Sequence, residues 1–537
     1  MHEHPPNSPT GQEPLPVTAV AEATAAVGTA AGSRGGNVHP VYPNPRGAMA
    51  AMCLALILVA SSMSALNLAL PQLALDLGAS TTSLTWIVDG YTVVLAGLVL
   101  PLGALGDRYG RRAVLVAGTA VFGAAALTAS FASGNTELVA WRAVMGLGAA
   151  MMMPGTLSTM TAVLPVDQRA RGVAVWAGCA AAGVALGLLA SGALLEWFSW
   201  RSIFTAAAAA ALGTGVVAVL FAPETREARP RRFDVAGAVC TAIAPGALVF
   251  ALIEGNDVGW GEPLVVAALA VSVLAAVAYV VLGLRADEPL LDPRLFRIPG
   301  FRAGSVTIAA QFLAVFGFYF VGLQYVQLVL GYRPLKAGLA LLPIGLVVVP
   351  VSQTTPRLAA RFGVRAVMVT GLLLLGCGLV AMASLDAGSG YLPFLACLLV
   401  AGLGVGMTGA VGTSAITGSL TRDKQGVASA VNDVTREVGA AVGIALMGSV
   451  FGNRYRASLP EAVSRLPQDA AEAVRRSPAG GVHVAGHAGP QGAALAAGVR
   501  EAFMSGMSAA LLAAAVVVAV AACSLVRAPG RTRRSAE

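Results

Sequence analysis

The chain has 537 residues, of which 56% are apolar and 12% charged, with a mean hydropathy of +0.75. A soluble surface around a protein of this size needs far more charge, so the chain reads as a membrane protein. Its net charge of +8 is not gathered on one face as a nucleic-acid binder would need; the arginines are scattered through short loops between apolar runs.

Other function classes fall away on residue type. There are only two lysines, Lys336 and Lys424, and neither follows a G-x-x-x-x-G that could cradle a phosphate. The six cysteines (Cys53, Cys179, Cys240, Cys377, Cys397, Cys523) lie inside apolar runs without a C-x-x-C pair. The five histidines (His2, His4, His39, His483, His487) sit in polar segments. Neither a metal nor a nucleophile–base constellation is expected, and the chain is not read as an enzyme.

Residues 1–46 are rich in Pro, Ala, Gly, Ser and Thr and read as a disordered tail without a signal peptide. Fourteen apolar runs follow, each near the ~20 residues that cross ~30 Å of hydrocarbon. They cover 48–70, 84–105, 113–132, 137–163, 170–195, 200–222, 234–254, 262–284, 303–329, 335–355, 365–386, 391–418, 425–451 and 501–527. Loops on one side carry eighteen arginines and lysines; the short loops on the other hold three, Arg201, Arg333 and Lys336. The richer side is cytoplasmic. Both termini, including a tail at 528–537, are then expected inside, and 453–500 forms an external loop.

The stretch Gly103-Ala104-Leu105-Gly106-Asp107-Arg108-Tyr109-Gly110-Arg111-Arg112 lies between the second and third runs. Its glycines allow two helices to approach closely where they leave the bilayer. Leu358 to Val367 echoes Leu105 to Val114, keeping both arginines and the glycine but replacing Asp107 by Ala360. The spacing gives a six-helix half over 47–222, two inserted helices over 223–284 and a second half over 285–527. Parallel repeats of this kind place a substrate near the bilayer midplane between the halves.

The Gly103–Arg112 stretch resembles the loop 2–3 signature of the major facilitator superfamily. Trp86 to Tyr91, Arg142 to Ala150, Gln327 to Gly338 and Gly426 to Gly439 are similar to further motifs of its fourteen-helix drug/proton antiporter family, the EmrB/QacA type. That resemblance implies an all-α polytopic major facilitator fold in the bacterial plasma membrane. It also implies monomeric export of an amphiphilic drug, antibiotic or metabolite, driven by protons and without a cofactor. Gly103, Asp107, Arg108, Gly110, Arg111 and Arg112 would form a cytoplasmic gate, with Asp107 docking near Gln425 and Gly426. Three places depart from the family pattern: Ser62 stands for the usual helix 1 acid, Met145 for Gln in helix 4, and Leu188 and Ser191 for Pro and Gly in helix 5. A carrier for another solute without proton antiport is the alternative they leave open. A non-transporting sensor is a further one, although it would have no use for two charge clusters within the membrane.

An ionisable side chain at the centre of a spanning helix costs at least ~2.5 kcal/mol unless paired or hydrated. Asp89 and Arg142 fall at similar depth, so either they pair or both face a water-filled cavity. Asp433, Arg436 and Glu437 share one face of helix 13. Asp89, Arg142, Asp433 and Arg436 are the proton-coupling candidates, with Glu437 the third deep carboxylate beside Asp89 and Asp433, and a salt bridge of structural role is the other reading of each cluster. Asn67, Trp86, Tyr91, Gln311, Tyr325 and Gln327 are candidates for the substrate cavity; packing or interfacial anchoring is the alternative.

Overall fold

The computed structural model describes residues 44–164, 169–225, 233–255, 257–420, 425–489 and 492–527. Of the tails expected at 1–46 and 528–537, residues 1–43 and 528–537 lie outside them, while a helix already starts at Pro45. Among the described residues the structure is helical, with no strand and fourteen helices long and apolar enough to span a membrane. In chain order these are α1 (Pro45–Leu68), α2 (Thr81–Tyr109), α3 (Arg111–Ala129), α4 (Asn135–Val163), α5 (Arg169–Trp197) and α6 (Arg201–Phe221). The inserted pair is α7 (Val235–Gly255) and α8 (Pro263–Arg285). The second half comprises α9 (Pro299–Val329), α10 (Pro334–Phe362), α11 (Val364–Ala383), α12 (Tyr391–Gly418), α13 (Gln425–Ala457) and α14 (Gly492–Arg527).

Local chemistry sets the helix starts. Asn44 accepts from the Gly47 amide at 2.8 Å and Ser80 from the Ser83 amide at 3.1 Å, capping α1 and α2. Proline opens α1, α8, α9 and α10, where its missing N–H is no loss.

The two halves repeat one packing scheme. On α4, a methyl at Gly148 would stand 2.7 Å from the Gly118 carbonyl of α3; on α12, one at Gly404 would stand 2.5 Å from the Gly371 carbonyl of α11. Gly187 of α5 likewise presses on the Ser61 carbonyl of α1, and Gly443 of α13 on the Leu313 carbonyl of α9. In lipid, where apolar burial gains little, such backbone approach supplies the dispersion contact that holds helices together.

The inserted α7 rests on the seam where α2 meets α13. Val249 and Ile253 pack with Ala441 and Ala445 of α13 and with Trp86 and Val93 of α2. Trp86 Nε1 donates to Glu254 at 2.7 Å, and Ser449 donates to the Leu252 carbonyl at 2.6 Å.

The segment expected as a loop over 453–500 is largely helical. α13 runs on to Ala457, α14 starts at Gly492 rather than 501, and helices Gln468–Arg476 and Pro478–His487 lie between. Tyr455, Val463, Ala471, Val474, Ala485, Leu495, Val499 and Ala502 form a small core there. Each stretch, nine or ten residues long, is too short to announce itself; the flanking ends of α13 and α14 supply the apolar partners. This cap reaches the first half as well, where Thr81 donates to the Arg476 carbonyl at 3.3 Å.

Candidate functional site

The hairpin between α2 and α3 is a built corner. Gly110 adopts φ 119°, a region unfavourable to side chains, and a methyl there would strike the Glu224 carboxylate beyond the end of α6. Arg111 bonds Asp107 through both Nε (2.8 Å) and Nη2 (2.7 Å), and its amide donates to the Thr225 carbonyl at 3.0 Å. Arg112 donates to the Val219 carbonyl at 2.6 Å, and Arg108 lies over the Tyr109 ring at 5.6 Å. A methyl on Gly103 would come within 2.9 Å of Pro154 in α4. Gly103, Gly110, Arg111 and Arg112 therefore tie the hairpin to α4 and to the end of α6, while Asp107 and Arg108 make their contacts within it. Asp107 has Arg111 as its partner; the side chains of Gln425 and Gly426, its expected dock, lie outside the described residues.

Arg142 is 1% exposed and does not form an ion pair with Asp89. Its Nε and Nη2 donate instead to the Ile87 and Val88 carbonyls of α2 at 3.0 and 3.2 Å, and the Tyr91 ring packs under its guanidinium at 4.4 Å. Tyr91 in turn donates to the Val59 carbonyl at 3.2 Å. Asp89 is fully buried, and neither carboxylate oxygen has a hydrogen-bond partner. Sequence depth brought Asp89 and Arg142 to the same level; it could not show that backbone carbonyls compete for the guanidinium.

The α13 cluster differs in the same way. Arg436 stacks on Phe312 of α9 at 4.6 Å, and no described ion pair joins it to Asp433 or Glu437. Asp433 Oδ1 and Glu437 Oε2 are buried without partners. Glu437, the third deep carboxylate of the sequence reading, sits on α13, the helix that packs along α2. The two clusters thus face the same boundary between halves. Its signal was present in the sequence, one residue after Arg436, but only packing shows what it faces.

The cavity candidates scatter. Asn67 donates to the Met63 and Ser64 carbonyls at 3.2 and 3.3 Å and keeps a buried, unpartnered Oδ1. Gln311 accepts from Thr408 at 2.7 Å, and Trp86 is turned toward Glu254. Tyr325 and Gln327 lie in a single π turn, Tyr325–Val329, that ends α9. Tyr325 packs against Phe394 with a buried hydroxyl that has no partner, and Gln327 Nε2 donates to the Leu323 carbonyl at 3.4 Å.

At the end opposite the hairpin the halves meet closely. A methyl on Gly192 would lie 2.9 Å from Leu335, and Gly338 sits 3.1 Å by the same measure from the Leu188 carbonyl. Arg333 pairs with Glu196 at 3.6 Å, and the Leu335 amide donates to the same carboxylate at 3.4 Å. The stretch Gln327 to Gly338 thus docks on the part of α5 where Leu188 and Ser191 depart from the family pattern.

The family model described as Major Facilitator Superfamily matches residues 52–444. The chain belongs to that superfamily. It is 34% identical over 478 residues to the multidrug efflux pump LfrA of Mycolicibacterium smegmatis, covering 88% of this chain and 94% of LfrA. The methyl viologen resistance protein SmvA of Salmonella typhimurium is 31% identical, with 85% and 93% covered. The tetracenomycin C resistance and export protein of Streptomyces glaucescens is 29% identical, with 88% and 89% covered. Among solved structures, a bacterial homologue of the lysosomal transporter Spinster superposes with a TM-score of 0.63 at 15% identity, over 89% of this chain and 95% of that one. That likeness shows the fold: two six-helix halves of the superfamily, here with α7 and α8 between them. With fourteen spans and bacterial relatives, the chain is a multi-pass bacterial membrane protein.

Proposed function

We propose that the protein is a secondary active exporter of amphiphilic small molecules, of the drug or antibiotic class, in exchange for protons by alternating access. The names of its relatives support the cargo class. The observation that carries the proton half is Asp89, buried without a donor beside a guanidinium already engaged elsewhere. An ionised carboxylate in that position carries a desolvation penalty of several kcal/mol, so its charge follows the access of water. Alternating access is a change in that access.

The hairpin side faces the cytoplasm and the cap faces outward, in keeping with the arginine bias of the loops. The chain works as a monomer in the plasma membrane and needs no cofactor beyond the proton gradient. Expression in a bacterial host should lower the steady accumulation of ethidium, a fluorescent apolar cation, and a protonophore should restore it. Equal accumulation with and without the protein, across a panel of amphiphiles, would dismiss the exporter reading.

A further inference from the structure

A cavity of about 160 Å³ lies wholly within the N-terminal half, between α1, α4, α5 and α6. No residue of the second half lines it, and Arg142 is the residue it shares with the cluster at the seam that carries Asp89. Beside it α5 and α6 barely touch. Leu186 and Ala190 on α5, with Ala206 and Ala210 on α6, line it and are exposed at the perimeter, where lipid surrounds the protein. The mouth therefore opens sideways into the outer leaflet.

The walls are apolar except where Ser61, Ser62, Ser191 and Arg142 line them. There Ser61 and Ser191 spend their protons on the Leu58 and Leu188 carbonyls, which leaves their oxygens as weak acceptors. Arg142 and Ser62 are different. Ser62 is 7% exposed and has no hydrogen bond among the described residues. Arg142 Nη1, unlike Nε and Nη2, also meets no acceptor among them. Two buried donors, one of them cationic, thus close an otherwise greasy pocket.

We propose that this pocket binds a ring-sized apolar acid taken from the bilayer, an aromatic or branched carboxylic acid whose carboxylate accepts from Arg142 and Ser62. Size sets the body: an apolar cavity of about 150 Å³ admits one benzene ring. Charge sets the head, because a cation would meet Arg142 and a hydrocarbon would leave both donors unmet. Water alone would satisfy the polar groups but not wet the apolar remainder. A guanidinium–carboxylate contact is the charge-assisted bond that fits. Arg142 also belongs to the Asp89 cluster, but the site is read by binding alone, so its failure and the failure of the exporter reading are distinguishable.

The test uses the full chain in phosphatidylcholine nanodiscs, with benzoate as probe and saturation-transfer NMR as readout. Benzoate should bind saturably, and benzyltrimethylammonium should bind at least about tenfold more weakly. Ala207→Phe, which fills the cavity from α6, should abolish saturable transfer. Leu186→Trp, which closes the mouth from an exposed position that folding does not need, should do the same. Ser62→Ala should weaken benzoate about fivefold, as loss of one hydrogen bond would. Transfer that does not saturate, or that persists unchanged in both filling variants, means partition into lipid only and overturns the site. Equal binding of the cation overturns the role of Arg142.

Discussion

Asp89 and Glu437 place unpartnered carboxylate oxygens at the boundary between the halves, and neither has an arginine in ion-pair contact. Arg142 is spent on two carbonyls of α2, and Arg436 on the face of Phe312. Asp89→Asn is therefore expected to abolish ΔpH-driven uptake into inverted vesicles while leaving ethidium binding within about twofold, since the amide keeps the shape and loses only the titration. Asp433→Asn should do less, because Arg436 lies on the same helix and cannot withdraw from it. An Asp89→Asn protein that still responds to ΔpH would move the proton site elsewhere, with Glu437 first in line. The residue types and their depth were readable from sequence. Their partners were not, because a guanidinium that chooses carbonyl oxygens over a carboxylate leaves no pattern in the chain.

The α2–α3 corner and the outer cap are the two elements whose geometry makes sharp demands. Gly103 and Gly110 were legible as motif glycines; that one abuts Pro154 and the other holds φ 119° against Glu224 required coordinates. Gly110→Ala should reduce the folded yield through strain of about 1–3 kcal/mol. Gly103→Val should insert into the membrane yet lose most transport, because α2 and α4 can no longer slide at their present separation. Normal efflux from Gly103→Val at matched membrane levels would show that this approach is incidental. The cap was missed because its core is assembled from distant pieces, Tyr455 and Val499 among them. At its edge a methyl on Gly452 would lie 3.3 Å from Thr81 Cβ, close to disulfide range. Thr81→Cys with Gly452→Cys should cross-link on oxidation and stop efflux, with recovery in reductant. Full activity of the oxidised form would mean that this end never parts.

Across the whole molecule the sequence's hydropathy and its Arg-rich echo at 358–367 were enough for fourteen spans in two halves, since lipid leaves a helix few alternatives. The paired glycine contacts of α1 with α5 and of α9 with α13 give the physical form of that repeat. Orientation follows from loop charge and can be checked chemically. In a cysteine-free background Gly486→Cys on the cap should react with an impermeant maleimide on intact cells, and Asp287→Cys between α8 and α9 should not. The opposite labelling would invert the molecule and turn the gate outward. Proton-driven export itself is tested most directly in inverted vesicles, by recording ethidium uptake and internal pH together while an acid-inside gradient is imposed. Exchange predicts uptake that rises with the gradient, accelerates proton loss from the vesicle and ceases when nigericin collapses ΔpH. Uptake that proceeds unchanged after the collapse, with no substrate-dependent proton movement, would contradict it.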